Sequence, residues 1–245
     1  ERRIEKRNFD DPDAFAGAAT LVISPGVDRR RAAFTHNYAR QINDIELFAL
    51  LNDKPVLAMT GSNGKSTVVT LLAAALNHAG QRAKLCGNIG RPVLDALFDG
   101  EPADCYVLEL SSYQLELCPS LYPRVAAILN ITPDHIDWHG SFEEYAAAKE
   151  RIFANMGAGD LAVVSREDEW CRAVIERLGT RNVRTCVLDV HTEPDGSCAA
   201  FVRDGRLIVR LDGTEHALLA IGELPICGEH NIQNALAASA LALEV

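Results

Sequence analysis

Aromatic residues make up only 6% of the 245 positions, with two Trp, and Met is equally rare. Sandwiches and barrels draw their cores from aromatic and β-branched side chains, so this scarcity beside abundant Ala and Leu favours helices packed on a sheet. Positive charge is scarce too. Lys and Arg number 24 against 34 Asp and Glu, a formal net charge of −10. Nucleic-acid surfaces need clustered cations, so a nucleic acid is not expected as partner and any phosphate binding must be local. The basic runs Arg2–Arg7 and Arg29–Arg31 read as solvated faces. The seven cysteines are an odd set without a CxxC pair, which signals neither a disulfide framework nor a zinc site. Reduced thiols in a cytoplasm are expected. No apolar run is long enough to cross a bilayer, and the opening ERRIEKRNFD lacks the apolar segment of a signal peptide.

What is present is a 48% hydrophobic chain, enough for a substantial core, with a βα rhythm. ATLVIS at 19–24, broken by Pro25-Gly26, is a short strand, and Asp28 to Arg40 reads as a helix. No first strand precedes this unit, so residues 1–50 are expected to be the end of a domain. A second series begins at Lys54, where strand PVLAMT, loop GSNGK and helix STVVTLLAAALNHAG are followed by alternating short apolar strands and helices as far as TCVLDV. That alternation predicts an α/β fold, a doubly wound, mostly parallel sheet. AAFVRDGRLIVRL, with Asp204-Gly205 at its centre, predicts a β hairpin, and the alanine-rich tail a helix.

TGSNGKST at 60–67 carries the strongest chemical signal. Strand, glycine turn, Lys-Ser and helix is the arrangement in which backbone amides and a helix N-terminus wrap nucleotide phosphates. Gly61 and Gly64 leave room, Ser62 and Asn63 complete the turn, and Lys65 can reach the β/γ-phosphates. The Ser66 hydroxyl can meet Mg²⁺, with Thr67 behind it in the helix. Met59 stands where the usual pattern has its first glycine. Glu109 sits at the C-terminal end of a predicted central strand, the edge at which open α/β sheets bind ligands. It reads as a Mg²⁺ ligand or as a salt-bridged strand end. His135, in the loop TPDHIDWHG beside Asp134, Asp137 and His139, suits a metal ligand, a base or a hydrogen-bonded structural role. Lys149 falls on the helical arc of Phe142, Tyr145, Ala146, Ile152 and Phe153. On a buried face its amine would be driven toward the neutral, nucleophilic form, able to take up CO₂ as a Mg²⁺-binding carbamate. Alternatively, its stem covers apolar surface and its head reaches water.

TGSNGKST, GNIG at 87–90, LELSSYQLE at 108–116, LNITPDHIDWHG at 129–140, YAAAKERIF and GEHNIQNALAA at 228–238 together resemble the central ATPase domain of the Mur ligases. SPG at 24–26, DIELF at 44–48 and LELSSYQLE are most similar to the D-glutamate-adding branch. The resemblance implies a P-loop type sheet over 51–245 and the end of a Rossmann-like, UDP-substrate-binding domain over 1–50. The family's C-terminal amino-acid-binding domain has no counterpart, so the chain alone is not expected to turn over. The implied activity is ATP-dependent addition of D-glutamate to UDP-N-acetylmuramoyl-L-alanine through an acyl phosphate, by a cytoplasmic monomer making peptidoglycan precursors.

The resemblance puts Lys65 and Ser66 on the phosphates and first Mg²⁺, with Glu109 near that metal. His135 and carbamylated Lys149 fall at a second Mg²⁺, and Asn234 against adenine. Ser24, Gly26, Asn88 and Ser111 come near the muramoyl substrate. Trp138 replaces an arginine often found in that loop, and Asn43 a glycine before DIELF. Alternatives are another Mur-type ligase, a folylpolyglutamate synthase, or a nucleotide-binding module without catalysis. A P-loop kinase or GTPase is disfavoured by the absence of an NKxD-type run.

Overall fold

The computed structural model describes residues 8–35 and 40–245. In chain order the elements are β1 Thr20–Val22, α1 Ala32–Thr35, β2 Arg40–Ile42, α2 Asp44–Leu51, β3 Val56–Thr60, α3 Lys65–His78, β4 Ala83–Gly87, α4 Val93–Phe98, β5 Cys105–Glu109, α5 Ser112–Leu115 and β6 Val125–Ile128. They continue with α6 Ile136–His139, α7 Phe142–Glu150, β7 Leu161–Ser165, α8 Glu169–Thr180, β8 Arg184–Asp189, β9 Ala199–Arg203, β10 Arg206–Leu211, β11 Thr214–Ala220 and α9 Glu229–Leu243.

A nine-stranded sheet runs β11-β10-β9-β8-β7-β6-β3-β5-β4. It is parallel from β4 to β9, and β10 and β11 add antiparallel edges. Strand residues alternate between two cores because successive side chains point to opposite faces. Val56 and Ala58 face a core shared with α2, α4, α7 and α8. Leu57 and Met59 face one shared with α3 and α9. The doubly wound, mostly parallel sheet is the architecture expected from the sequence. The Asp204-Gly205 hairpin is present, both residues with positive φ, as a tight hairpin turn with matching twist requires. β11 was not foreseen. Its exposed and half-buried residues lack a clean alternation, so pairing with β10 rather than burial makes it a strand.

β1 and β2 form a separate two-stranded parallel sheet, with Leu21, Ile23 and Phe34 in a small core. The helix expected over Asp28 to Arg40 is found only at Ala32–Thr35, and positions 36–39 lie outside the described residues. α2, which spans the end of the 1–50 stretch, packs on the large sheet, where the Phe48 ring meets Tyr106 edge-on at 5.0 Å. Asn43 begins α2. Its side-chain Oδ1 accepts from Glu46 N at 3.0 Å and its Nδ2 donates to Gln114 O at 2.6 Å. A glycine there could form neither bond.

Candidate functional site

β3 lies between β5 and β6, so the loop after β3 is flanked by the ends of both neighbours. Met59 pairs with Glu109 on one side and Thr60 with Ile128 on the other. This is also where the winding reverses, since β4 and β5 follow on one side of β3 and β6 on the other.

The glycine loop turns through Gly61 at φ 147° and Gly64 at φ 84°. A Cβ on Gly64 would stand 2.5 Å from Asn234 Oδ1 and 2.9 Å from Leu129 Cδ1. The first intrahelical bond of α3 runs from Val68 N to Gly64 O, which leaves the amides of Lys65, Ser66 and Thr67 ahead of it as the unsatisfied first turn. Lys65 Nζ folds back on its own loop and donates to Gly61 O at 2.9 Å and Ser62 O at 3.0 Å.

On the β5 side, Ser66 Oγ donates to Glu109 Oε2 at 2.7 Å and Asn88 Nδ2 to Oε1 at 2.9 Å. Glu109 is 2% exposed, and these two bonds satisfy a carboxylate that would otherwise be costly to bury. Asn88 reaches it because Gly87, at φ 107°, lies against the Glu109 carbonyl, where a side chain would not fit. On the β6 side, Asn130 braces the loop. Its Oδ1 accepts from Ser62 N at 3.1 Å and Asn63 N at 2.8 Å, and its backbone oxygen from Ser62 N at 2.9 Å. Sequence reasoning missed Asn130. Its only signal was its position two residues beyond the strand that pairs with β3.

Lys149, expected on the buried arc of α7, is 2% exposed and donates to Gly61 O at 2.8 Å, with Nζ 4.7 Å from the Tyr145 ring centre. Burial and the nearby Lys65 charge pull its pKa down to about 7, against a smaller opposing effect of Asp134. Lys65 is lowered as well, by burial, while Glu109 and Asp134 act the other way. Two lysine amines thus converge on one carbonyl oxygen, each with its charged form disfavoured by burial.

These groups line a cavity of about 350 Å³ that includes Pro25, Gly26, Ser62, Lys65, Asn88, Ser111, Asp134, His135 and Lys149. Gly26 of the β1–β2 unit therefore meets the loop region. Ser24 does not line it, and its carbonyl closes a turn with Val27 N at 3.2 Å. Ser111 lines it while capping α5, accepting from Gln114 N at 3.3 Å. His135 is half-exposed in a left-handed conformation at φ 51°, with Nε2 3.3 Å from Asp134 Oδ2. The segment expected to be a loop contains one helical turn, α6, and the Trp138 ring lies 4.9 Å from Tyr113. Asn234 is buried, donates to Asn231 Oδ1 at 3.2 Å and faces Gly64 rather than the cavity.

Ser66 Oγ and Glu109 are hard oxygen donors beside the phosphate loop, a set that fits Mg²⁺. Among the described residues, the group of three His or carboxylate ligand atoms within 4.8 Å of one another lies elsewhere, at exposed Glu167, His191 and Glu229. All seven cysteines are free, six of them buried, and among the described residues no helix is long and apolar enough to cross a membrane.

Residues 59–242 match the Mur ligase middle domain. The chain is 37% identical over 238 residues to the UDP-N-acetylmuramoylalanine–D-glutamate ligase of Koribacter versatilis, covering 95% of this chain and 50% of that protein. The ligase of the same name from Salinibacter ruber is 38% identical, with 93% of this chain and 52% of that protein covered. The chain thus spans about half the length of the curated relatives it matches. Among solved structures, the UDP-N-acetylmuramate:L-alanyl-gamma-D-glutamyl-meso-diaminopimelate ligase of Neisseria meningitides superposes with a TM-score of 0.64 at 20% identity, covering 93% of this chain and 74% of that one. The MurF ligase of Thermotoga maritima in complex with ADP superposes at 0.56 and 19% identity, covering 94% and 60%. Such identities speak for a shared fold. The chain belongs to the Mur ligase family, with its middle domain at residues 59–242.

Proposed function

We propose that this chain is the ATP-binding, carboxylate-activating part of a ligase that adds D-glutamate to UDP-N-acetylmuramoyl-L-alanine. The observation that carries the reading is the convergence of Lys65 and Lys149 on Gly61 O beside the Ser66–Glu109 pair. The names of the relatives supply the substrates. ATP phosphates entering the loop offer Lys65 a stronger partner than two backbone carbonyls, and the open first turn of α3 adds amide donors. The terminal phosphoryl group passes to the substrate carboxylate. The glutamate amine attacks the resulting acyl phosphate, and the tetrahedral intermediate releases inorganic phosphate. Ser66 with Glu109, and His135 with carbamylated Lys149 at a second site, would hold Mg²⁺, which would supply positive charge beside the phosphates. Lys149, near neutrality, is the amine suited to carbamylation.

The β1–β2 unit, which brings Gly26 to the cavity, is the end of the UDP-substrate domain in this reading, and Asn88 and Ser111 face the muramoyl side. The test pairs two measurements. Calorimetry of ATP·Mg²⁺ on this chain should show binding that Lys65→Ala removes. A full-length ligase carrying the chain should release ADP only with both D-glutamate and the UDP substrate present. Unchanged ATP binding in the variant overturns the loop assignment, and ATP retention without amide formation reduces the protein to a binding module.

A further inference from the structure

The phosphate loop is held from one side by two residues that the chemistry of the site leaves unused. Gly61-Ser62-Asn63-Gly64 has a glycine at each end, and such a segment samples many conformations unless something ties it down. Here the tie is Asn130, just beyond β6. Its Oδ1 accepts from Ser62 N at 3.1 Å and Asn63 N at 2.8 Å, and its Nδ2 donates to Asn63 O at 3.3 Å. One carboxamide that bonds both the N–H and the C=O of Asn63 fixes the peptide planes on either side of that residue.

Asn130 is itself fixed. Leu129 and Ile131, its neighbours in the chain, are 1% and 2% exposed and belong to the two opposite cores. Ile131 N donates to Asp168 Oδ2 at 3.0 Å, while Oδ1 of the same carboxylate caps α8 by accepting from Cys171 N at 2.8 Å. The loop follows β3, Asn130 follows β6 and Asp168 follows β7, so the parallel order β3-β6-β7 sets all three along one sheet edge. We propose that Asn130 is the positioning residue of the phosphate loop and that Asp168 acts on the loop through it, the pair holding the nucleotide-binding shape before nucleotide arrives. A loop already in that shape binds without the ordering cost that an unbraced one meets. The effect falls on the fraction of molecules ready to bind, so it scales the affinities for ATP and ADP alike and bears little on the phosphoryl-transfer step.

The proposal rests on the loop binding ATP, and full-length ligase carrying this chain tests the two ideas separately. In Asn130→Ala the dissociation constants of ATP·Mg²⁺ and ADP·Mg²⁺ should both rise about tenfold, as when about one loop in ten is competent. The KM for ATP should follow them, with kcat changing far less and the KM for the UDP substrate holding at saturating ATP. Asp168→Ser keeps an oxygen for the α8 cap, where serine serves as well as aspartate, but leaves none for Ile131 N. Its thermal midpoint should stay near that of wild type while the dissociation constant of ATP rises about threefold, the scale of one modest hydrogen bond. In the double variant the Asp168 effect should vanish, because a residue that acts through the Asn130 carboxamide has nothing to act on once it is gone. General loosening would instead lower the midpoint and make the two losses add. Additive losses, or unchanged ATP affinity in Asn130→Ala, overturn the proposal and leave the ATP-binding reading standing. A wild-type ligase that binds no ATP overturns both.

Discussion

Replacing Lys149 by methionine removes a buried charge and keeps the length and apolar stem of the side chain. The pKa of Lys149 falls from 10.5 to about 7 in the folded state. A lowered lysine pKa means that the unfolded chain holds a proton the folded one has released, so between about pH 7 and 10.5 stability rises with pH. The full difference corresponds to about 5 kcal/mol, of which about 3 kcal/mol is recovered between pH 7 and pH 9.5. At pH 7 the lysine therefore costs most of that total, offset in the wild type by the bond to Gly61 O and the Tyr145 ring. The methionine side chain would lose those contacts but carry no charge penalty. Lys149→Met should be more stable than wild type by about 2–4 kcal/mol at pH 7, and the gain should shrink to about 1 kcal/mol or less at pH 9.5. Urea unfolding of both proteins at both pH values, in bicarbonate-free buffer, measures this as a difference of differences in which all other titrating groups cancel. Curves for the two proteins that shift in parallel with pH would refute the buried, depressed lysine. In the full-length ligase the same variant should lose turnover, the trade of activity for stability expected where a functional site holds an unfavourable charge.

Gly64→Ala should abolish nucleotide binding, because the new methyl meets Asn234 Oδ1 at 2.5 Å and φ 84° is left-handed. Its folding cost, about 1–3 kcal/mol for a strained position in a packed loop, is measurable by the shift of the urea midpoint. An aromatic disulfide reagent should titrate one thiol rapidly in the native protein, exposed Cys227, and all seven in denaturant. Burial pushes Cys86 and Cys118 up to about 12, so several fast native thiols would contradict the packing of the two large cores.

The local pattern alone was enough for the strand–loop–helix around Gly61, for the Asp204-Gly205 hairpin and for the buried face of α7. Each depends on neighbours a few residues apart, through turn conformation and helical periodicity, and Lys149 was legible because a lysine amid Tyr145, Ala146, Ile152 and Phe153 breaks that periodicity. Glu109 was legible from its place at a predicted strand end, and family resemblance added Asn88; the fold brings Ser66 and Asn88 onto the Glu109 carboxylate. Tertiary structure decided the rest. That Lys149 reaches the carbonyl of Gly61, that Asn130 braces the loop, and that Arg29, Glu116, His139 and Ser112 fall in one row of polar contacts all follow from strand order and helix packing. Those contacts join positions far apart in the chain, and a hydrogen bond leaves no periodic trace in the sequence from which its partner could be read.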